Sequence, residues 1–382
     1  MTIPRASGAS PASARGGGTA RVCAVVNQKG GVGKSTTAVS LGAALAESGL
    51  RVLVIDLDPQ GNASTGMGIR HEAREVTIYD VLVADAPIEE AIVPTAVEGL
   101  SAVPSTIDLA GAEIELVSAF SRETRLGKAL APILDGRYEF ILLDCPPSLG
   151  LLTVNALTAA QELIVPIQCE YYALEGLGQL LRNVTLVQRN VNPNLRLAGI
   201  VMTMFDPRTK LSEQVVEEVR RYFGSRVYDT IIPRMVRLSE APGFGMPITV
   251  FDPKSRAAQC YRSLAREVAS KPASSEPMPI IGELPALDVP TPAPVAAPAA
   301  APSAPRPLRS AREEEAEEEA EAPPAPVLLG EVLEQDDAAA GTPGGSPDQV
   351  DGDGDGDGDG DGDGDGDGGR PRWGRKRRGG DR

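Results

Sequence analysis

Cysteine and histidine are scarce in this sequence, which contains four cysteines and one histidine in 382 residues. Cys23, Cys145, Cys169 and Cys260 are widely spaced and form no CxxC pair. This spacing excludes a zinc site or a disulfide framework, and it predicts small buried or free thiols in a reducing compartment. His71 lies in a polar stretch, where we expect a surface residue.

Long apolar runs are also missing. No stretch of about 18 apolar residues occurs, so the sequence predicts no transmembrane helix.

The first twenty residues are rich in Ser, Ala, Gly and Arg but lack the apolar core of a secretory signal. Because they contain no acidic residue they resemble a transit peptide slightly. We interpret residues 1–20 instead as a disordered arm or the product of an early start codon.

Charge is distributed unevenly along the chain, whose formal net charge is −16. Residues 1–270 carry 26 basic and 28 acidic side chains, so nearly all of the excess acidity lies in residues 271–382. An overall pI near 4.7 would argue against a nucleic-acid partner if it described the whole surface. The nearly neutral first part leaves room for a local basic patch.

The composition changes abruptly near Lys271, which predicts one folded domain over 21–270 and a disordered tail over 271–382. The tail contains a Pro/Ala stretch, a Glu-rich block and a strict Asp-Gly alternation, at 290–307, 313–321 and 351–368. None of these can bury enough apolar surface to offset the entropy cost of ordering.

The end of the tail leaves several interpretations open. We favour a solvated spacer for the Asp-Gly run at 351–368 over a calcium site, because it lacks the nonapeptide spacing of a calcium β-roll. The basic segment RPRWGRKRR at 370–378 is compatible with DNA contact. Equally, the acidic stretch could fold back over a basic surface and tune DNA affinity.

Apolar runs alternate with amphipathic stretches between residues 21 and 270. Buried strands are predicted at 21–27, 51–56, 138–144, 162–167 and 197–204. Helical sequence separates them, including 35–49 and an amphipathic helix over 211–223. This alternation predicts an α/β domain with a mostly parallel, twisted sheet and helices on both faces.

A glycine-rich loop joins the first predicted strand to the first predicted helix. Residues 29–36 read KGGVGKST, and the strand-to-helix position is the one that a phosphate-binding loop requires. Gly30, Gly31 and Gly33 let the backbone wrap around phosphates with its N–H groups inward, and the helix adds the positive end of its dipole. The pattern predicts the three-layer fold of P-loop NTPases.

Each position of the loop has an expected role. The predicted nucleotide-binding residues are Lys29, Gly30, Gly31, Val32, Gly33, Lys34, Ser35 and Thr36. Lys34 would neutralise the β- and γ-phosphates of ATP, and the Ser35 hydroxyl would be a ligand of Mg²⁺.

Acidic residues end two of the predicted strands. Asp56 and Asp58 follow the second strand, where ligands of open α/β sheets collect. Asp144 ends the apolar strand LLD, which is typical of a Walker B carboxylate that holds magnesium through water. Without a metal, a carboxylate at that depth would be costly. Since hydrolysis of ATP involves little covalent chemistry, positioning and charge neutralisation would provide the catalysis.

The loop departs from the standard pattern, because Gln28 stands where the first glycine is expected and Lys29 follows it. This resembles the deviant Walker A motif of the ParA/MinD superfamily. Four further segments resemble ParA/Soj-type chromosome and plasmid partition ATPases: AGAEIELV at 110–117, QCEYYALEGLGQLL at 168–181, MFDPRT at 204–209 and IPRMVRLSEAP at 232–242. The resemblance spans about 21–270.

This resemblance assigns roles at the nucleotide site. It implies that Lys29 reaches across an ATP-bound dimer to the phosphates of the partner subunit, with Gly30 small because another backbone approaches it. Asp58 would position or activate the attacking water, and Asp56 would belong to the magnesium shell or its second shell. Lys29, Lys34 and Asp58 are therefore the expected catalytic residues.

The resemblance also implies a DNA cycle in the cytoplasm, on the nucleoid. ATP binding would close a homodimer in which Arg208 and Arg237 bind DNA nonspecifically through phosphate contacts, without a membrane. A ParB-type partner would stimulate hydrolysis and release the DNA. Whether the cargo is a chromosome or a plasmid stays open.

Three other classes fit parts of the pattern. A MinD-like membrane-positioning ATPase is the main alternative, but such proteins end in a basic amphipathic helix and the ending WGRKRRGGDR has no apolar face. A scaffold that binds nucleotide without turnover is disfavoured by Asp58 and Asp144. An iron-sulfur reductase of the nitrogenase type would need cluster-binding cysteines, for which Cys145 and Cys169 are not convincingly placed.

Overall fold

The computed structural model describes residues 18–271, so the predictions for the first residues and for the tail lie outside the described part of the chain. This part contains eight β-strands. They are β1 (Arg21–Val25), β2 (Val52–Asp56), β3 (Val93–Pro94), β4 (Leu100–Val103), β5 (Phe140–Asp144), β6 (Glu162–Gln168), β7 (Arg196–Phe205) and β8 (Val227–Pro233).

Helices connect the strands, together with short 3₁₀ turns. Within residues 18–271 the α-helices are α1 (Lys34–Glu47), α2 (Asn62–Gly66), α3 (Ile78–Val83), α4 (Ile88–Ala91), α5 (Leu109–Glu115), α6 (Arg125–Leu130), α7 (Leu151–Ala159), α8 (Ala173–Asn190), α9 (Lys210–Phe223), α10 (Val236–Glu240), α11 (Ile248–Phe251) and α12 (Arg256–Ser270).

The strands form one sheet in the order β3-β4-β2-β5-β1-β6-β7-β8. All neighbouring pairs are parallel except β3 with β4. Alternate residues of β2 enter different cores: Leu53 and Ile55 pack on one face, and Val52 and Val54 pack on the other. Helices α3 to α9 contribute to the first core, and α1, α2, α11 and α12 contribute to the second. The predicted three-layer α/β fold is confirmed.

The five predicted strands and the amphipathic helix all occur, with ends shifted by a few residues. β1 ends at Val25, two residues before the predicted end, because the chain turns there into the glycine-rich loop. In α9, Val215, Val216 and Val219 are buried while Glu213 and Glu217 are exposed. β3, β4 and β8 were not predicted: β3 has two residues, β4 has four, and β8 is interrupted by polar residues.

The central strands bring distant parts of the sequence together. Asp56 at the end of β2 lies opposite Asp144 at the end of β5, and Val25 at the end of β1 lies on the other side of Asp144. Parallel strands place their carboxyl ends on one edge of the sheet. The loops that follow β1, β2 and β5 therefore meet at that edge.

A buried ion pair at the opposite end of β1 ties the sheet to α12. Arg21 donates to both carboxylate oxygens of Glu162, over 3.0 and 2.7 Å, and to the carbonyl of Val268 over 2.8 Å. The side chain of Glu162 is only 2% exposed. Removing the arginine would leave this carboxylate buried without its counter-charge, which is more costly than losing an exposed pair.

We expect Arg21→Ala to lower the free energy of unfolding by about 3 kcal/mol. Arg51→Ala is the matched control, since Arg51 also pairs with a glutamate, Glu139, but these side chains are 50% and 30% exposed. An exposed pair contributes about 1 kcal/mol or less. Urea denaturation followed by circular dichroism measures the free energy of unfolding of both variants. Equal losses of this free energy would show that burial of Glu162 does not strengthen its pair with Arg21.

Candidate nucleotide site

A cavity of about 390 Å³ opens at the carboxyl edge of the sheet, beside the amino end of α1. The predicted residues that line it are Gly30, Gly31, Gly33, Lys34, Ser35, Thr36 and Asp58. An apolar wall of the same cavity consists of Met204, Leu238, Ala241, Pro242, Met246, Pro247 and Ile248. One cavity thus combines a polar glycine-rich loop with an apolar wall.

The loop backbone has the conformation that its glycines allow. Gly31 and Gly33 have φ angles of 75° and 89°, in the left-handed region that disfavours other residues. A Cβ atom at Gly30 would meet nothing within 4 Å among residues 18–271, so no contact inside the described part of the chain requires this glycine. No side chain caps the first turn of α1, which leaves its N–H groups available to an anion.

Lys34 places a positive charge inside the cavity. Its side chain is largely buried, and its Nζ atom donates to the carbonyl oxygen of Lys29 over 3.2 Å. Burial lowers the pKa of Lys34, while the charges of Asp144 and Asp58 act in the opposite direction. The ammonium group therefore lies between the loop backbone and the carboxylates of Asp144 and Asp58.

Asp144 is fully buried, and neither of its carboxylate oxygens has a hydrogen-bond partner within residues 18–271. Burial, followed by the charge of Asp56, raises the pKa of Asp144 well above its ordinary value, and Ser35 and Lys34 oppose this rise. An unpartnered buried carboxylate is costly unless a cation compensates it. Asp144 and the neighbouring Ser35 thus fit a magnesium ion, which prefers oxygen ligands and phosphate.

Asp56 is also buried, but its oxygens are already occupied. One accepts from the backbone N–H of Asp58 over 3.1 Å, and the other accepts from the backbone and hydroxyl of Ser64, each over 2.7 Å. Burial raises the pKa of Asp56 to about 6, and the hydrogen bonds from Ser64 oppose that rise. Because both of its oxygens already accept hydrogen bonds, Asp56 fits a position behind the metal ligands better than a direct bond to the metal.

Asp58 lies on the cavity wall with 7% of its surface exposed. One of its carboxylate oxygens accepts from the backbone N–H of Gln60 over 3.0 Å. The carbonyl of Asp58 accepts from the N–H of Gly61 over 2.9 Å, so the loop after β2 is a tight turn. A carboxylate held in this way can orient a water molecule in the cavity.

Lys29 and Val32 are the two predicted loop residues whose side chains do not line this cavity. Val32 is buried, and its carbonyl accepts from the Thr203 hydroxyl over 2.8 Å, which fixes the loop to β7. Lys29 points elsewhere, and its Nζ atom lies 2.5 Å from a carboxylate oxygen of Glu170. Glu170 belongs to the segment QCEYYALEG, but no sequence signal assigned it a role.

Other contributing residues were also missed. The apolar wall comes mainly from the region 238–248, and a second cavity of about 250 Å³ beside it shares Gly33, Thr36, Met204, Leu238 and Pro242. Met204 has a φ angle of 52°, an uncommon value for a residue with a side chain. Scattered apolar residues on a strand end, short helices and turns carry no recognisable ligand signal, so the sequence could not identify this wall.

Both predicted DNA-binding arginines follow strands at the same edge of the sheet. β7 and β8 lie side by side, with Phe205 opposite Pro233; Arg208 lies in the loop after β7, and Arg237 lies on α10 after β8. Their side chains are 85% and 59% exposed. The structure therefore brings both guanidinium groups to the surface at this edge of the sheet.

Acidic neighbours hold both arginines. Arg208 donates to both oxygens of Asp206, over 2.9 and 2.6 Å, and these hydrogen bonds lower the pKa of Asp206 to about 2. Arg237 lies 3.5 Å from Glu240 and 4.0 Å from Asp252. A phosphate that binds at either arginine must therefore share the guanidinium group with an acidic side chain.

Between residues 18 and 271, no helix combines the length and apolar character that crossing a bilayer requires. The four cysteines are free thiols, three of them buried, as the sequence predicted.

Comparison with known proteins identifies close relatives of this chain. A family model for an AAA domain matches residues 20–197. The sporulation initiation inhibitor protein Soj of Bacillus subtilis is 56% identical over 250 residues, which cover 65% of this chain and 98% of Soj. The chromosome partitioning protein ParA of Caulobacter vibrioides is 54% identical over 252 residues, covering 66% of this chain and 94% of ParA.

A solved structure extends the comparison to the site. Cobyrinic acid a,c-diamide synthase of Mycobacterium smegmatis, crystallised with a bound ATP analogue and magnesium, is 42% identical and has a TM-score of 0.59. The match covers 69% of this chain and 100% of that chain.

Proposed function

Because the chain belongs to the Soj/ParA family of chromosome-partitioning ATPases, we propose that it uses magnesium-dependent ATP hydrolysis to control its attachment to DNA. The observation that carries the ATPase part is the single cavity in which the glycine-rich loop, Lys34 and Asp58 converge. Its cofactors are ATP and Mg²⁺, in keeping with the solved relative that holds an ATP analogue and magnesium.

The two walls of the cavity suit the two ends of ATP. Gly31, Gly33 and the first turn of α1 supply N–H groups for the phosphates, and Lys34 supplies positive charge. The apolar wall around Leu238 and Pro242 suits the flat adenine base. Binding at this edge of the sheet agrees with the general position of ligands in open α/β sheets.

Ser35 and Asp144 are the residues that would hold Mg²⁺, with Asp56 behind them. When bound, magnesium neutralises charge on the phosphate oxygens. The hydrogen bonds that Asp56 accepts from Ser64 and from the Asp58 backbone hold the loop after β2 against the end of that strand. Asp58 would then orient the attacking water from that loop. Hydrolysis at this site depends on positioning rather than on a covalent intermediate.

ATP is proposed to act by joining two copies of the chain. In this arrangement Lys29 of each subunit reaches the phosphates bound by the other, and Gly30 allows the second backbone to approach. The dimer places Arg208 and Arg237 of both subunits on one surface, where they contact DNA phosphates without reading the bases. A ParB-type partner stimulates hydrolysis and releases the DNA, and the protein acts in the cytoplasm on the nucleoid.

DNA binding by Arg208 and Arg237 is testable with charge reversal. We expect the double variant Arg208→Glu, Arg237→Glu to bind a random-sequence duplex at least about 100-fold more weakly in ATP and magnesium, because four phosphate contacts per dimer are lost. The slope of log affinity against log salt should decrease by about 3 to 4. ATP turnover without DNA should stay close to that of the unmodified protein.

Fluorescence anisotropy with labelled DNA measures this binding, first with ATP and then with ADP. The matched control is the double variant Arg182→Glu, Arg266→Glu, which makes the same charge change at exposed arginines of α8 and α12. An equal loss in both double variants would show a general charge effect and reject the two assigned arginines. If the unmodified protein binds no DNA with either nucleotide but binds liposomes with ATP, the MinD-like alternative replaces the partition function.

A further inference from the structure

The two lysines of the glycine-rich loop have different partners in the single chain. Lys34 is buried and faces the cavity, whereas Lys29 lies outside it and pairs with Glu170 across 2.5 Å. Glu170 is two residues beyond the end of β6. An ion pair of Lys29, the extra lysine of the motif, thus joins the glycine-rich loop to the segment that follows β6.

Several hydrogen bonds support the pair from both sides. The second carboxylate oxygen of Glu170 accepts from the Gln168 side-chain amide. The backbone N–H of Lys29 donates to the Asn27 side chain over 2.9 Å, and the Asn27 amide donates to the carbonyl of Pro166 over 2.8 Å. These contacts keep the loop near the end of β6, so the Lys29 ammonium group is directed to Glu170.

The exposure of the pair makes it exchangeable. The side chains of Lys29 and Glu170 are 49% and 46% exposed, and ion pairs in such surroundings are weak and screened by salt. A triphosphate carries more negative charge than one carboxylate, so it can displace Glu170 from the lysine. Within one chain, however, Lys29 lies outside the cavity where those phosphates would bind.

We propose that Glu170 restrains Lys29 in the single chain and thereby opposes ATP-driven dimer formation. The inference rests on the proposed function, in which Lys29 of each subunit binds the nucleotide of the other. Dimerisation then requires each Lys29 to exchange Glu170 for a phosphate. A twofold-symmetric dimer breaks two such pairs, so the contribution of one pair counts twice in the dimer dissociation constant.

The test replaces Glu170 with glutamine, which removes the charge but still accepts a hydrogen bond from Gln168. In magnesium and a non-hydrolysable ATP analogue, Glu170→Gln should lower the dimer dissociation constant of the full chain by about 2- to 30-fold. Sedimentation velocity over a concentration series measures it. Glu175→Gln is the matched control, because Glu175 is an exposed glutamate of the same segment, and its constant should not change.

A second measurement examines the pair without nucleotide or dimer. The rate of Lys29 acetylation by a limiting amine-reactive reagent, followed by peptide mass spectrometry, should rise at least about twofold in Glu170→Gln, because the ammonium loses its counter-charge. The rate at Lys254, an exposed lysine of the loop before α12, is the internal reference. Unchanged labelling of Lys29 would show that the pair does not form and would overturn the proposal.

The two measurements separate the possible failures. If labelling rises but Glu170→Gln weakens the dimer or leaves it unchanged, Glu170 does not act as a restraint. Weakening would place it in contact with the second subunit instead. Labelling could also rise while the unmodified chain forms no dimer with the ATP analogue. In that case the proposed function is wrong, and the predicted effect on dimerisation is wrong with it. The ion pair of Lys29 with Glu170 would still be confirmed.

Discussion

Lys34→Ala should reduce ATP affinity by about 100- to 1000-fold. Lys34 is the charged side chain that the glycine-rich loop directs into the cavity, and charge-assisted hydrogen bonds to phosphates contribute about 1.5 to 3 kcal/mol each. Two such bonds near the lower end of that range sum to about 3 to 4 kcal/mol, which corresponds to the expected loss. Isothermal titration calorimetry with a non-hydrolysable ATP analogue measures the affinity, and circular dichroism verifies that the variant is folded.

Lys29→Ala provides the matched control, since it removes the same side chain five residues earlier in the same loop. Its ammonium group lies outside the cavity and pairs with Glu170, so nucleotide affinity should stay within about threefold. ATP-dependent dimerisation and stimulated hydrolysis should be lost instead. Equal ATP affinity in Lys34→Ala and the unmodified protein would reject the nucleotide site.

The sequence predicted the centre of the sheet better than its edges. β1, β2 and β5 are fully or nearly fully buried strands, and continuous apolar runs reveal such strands. β4 is short, and β8 contains exposed or half-exposed residues such as Asp229 and Thr230. At an edge, tertiary packing rather than local pattern decides whether a segment becomes a strand.

The sequence also predicted which residues form the site, but it did not predict which of them lie side by side or which form hydrogen bonds and ion pairs with each other. That Asp56 and Asp144 lie side by side follows from the neighbouring positions of β2 and β5, and the sequence does not contain strand order explicitly. The pairing of Lys29 with Glu170 joins residues 141 positions apart. Hydrogen bonding distinguishes the two buried aspartates: in the described part of the chain, Ser64 donates to Asp56, whereas neither carboxylate oxygen of Asp144 has a hydrogen-bond partner.

Replacement of Asp58 separates binding from hydrolysis at this site. Asp58→Ala should reduce ATP hydrolysis by about 100- to 10,000-fold, the usual contribution of a group that positions or deprotonates a nucleophile. ATP should still bind, and its affinity should be unchanged or higher, because one negative charge leaves a cavity that receives phosphates. Without hydrolysis the ATP-bound dimer should persist and remain attached to DNA.

Phosphate release measures ATP hydrolysis in the Asp58 variants. The decay of DNA anisotropy after ATP is diluted measures how long the ATP-bound dimer stays attached to DNA. Asp58→Asn retains an acceptor for the Gln60 N–H, which the carboxylate binds over 3.0 Å, and thus preserves the turn after β2. If this variant loses hydrolysis as fully as Asp58→Ala, the negative charge at the water position is required. If it keeps most turnover while alanine does not, the turn is what matters. Normal turnover in both variants would remove Asp58 from catalysis and leave Lys29 and Lys34 as the remaining candidates.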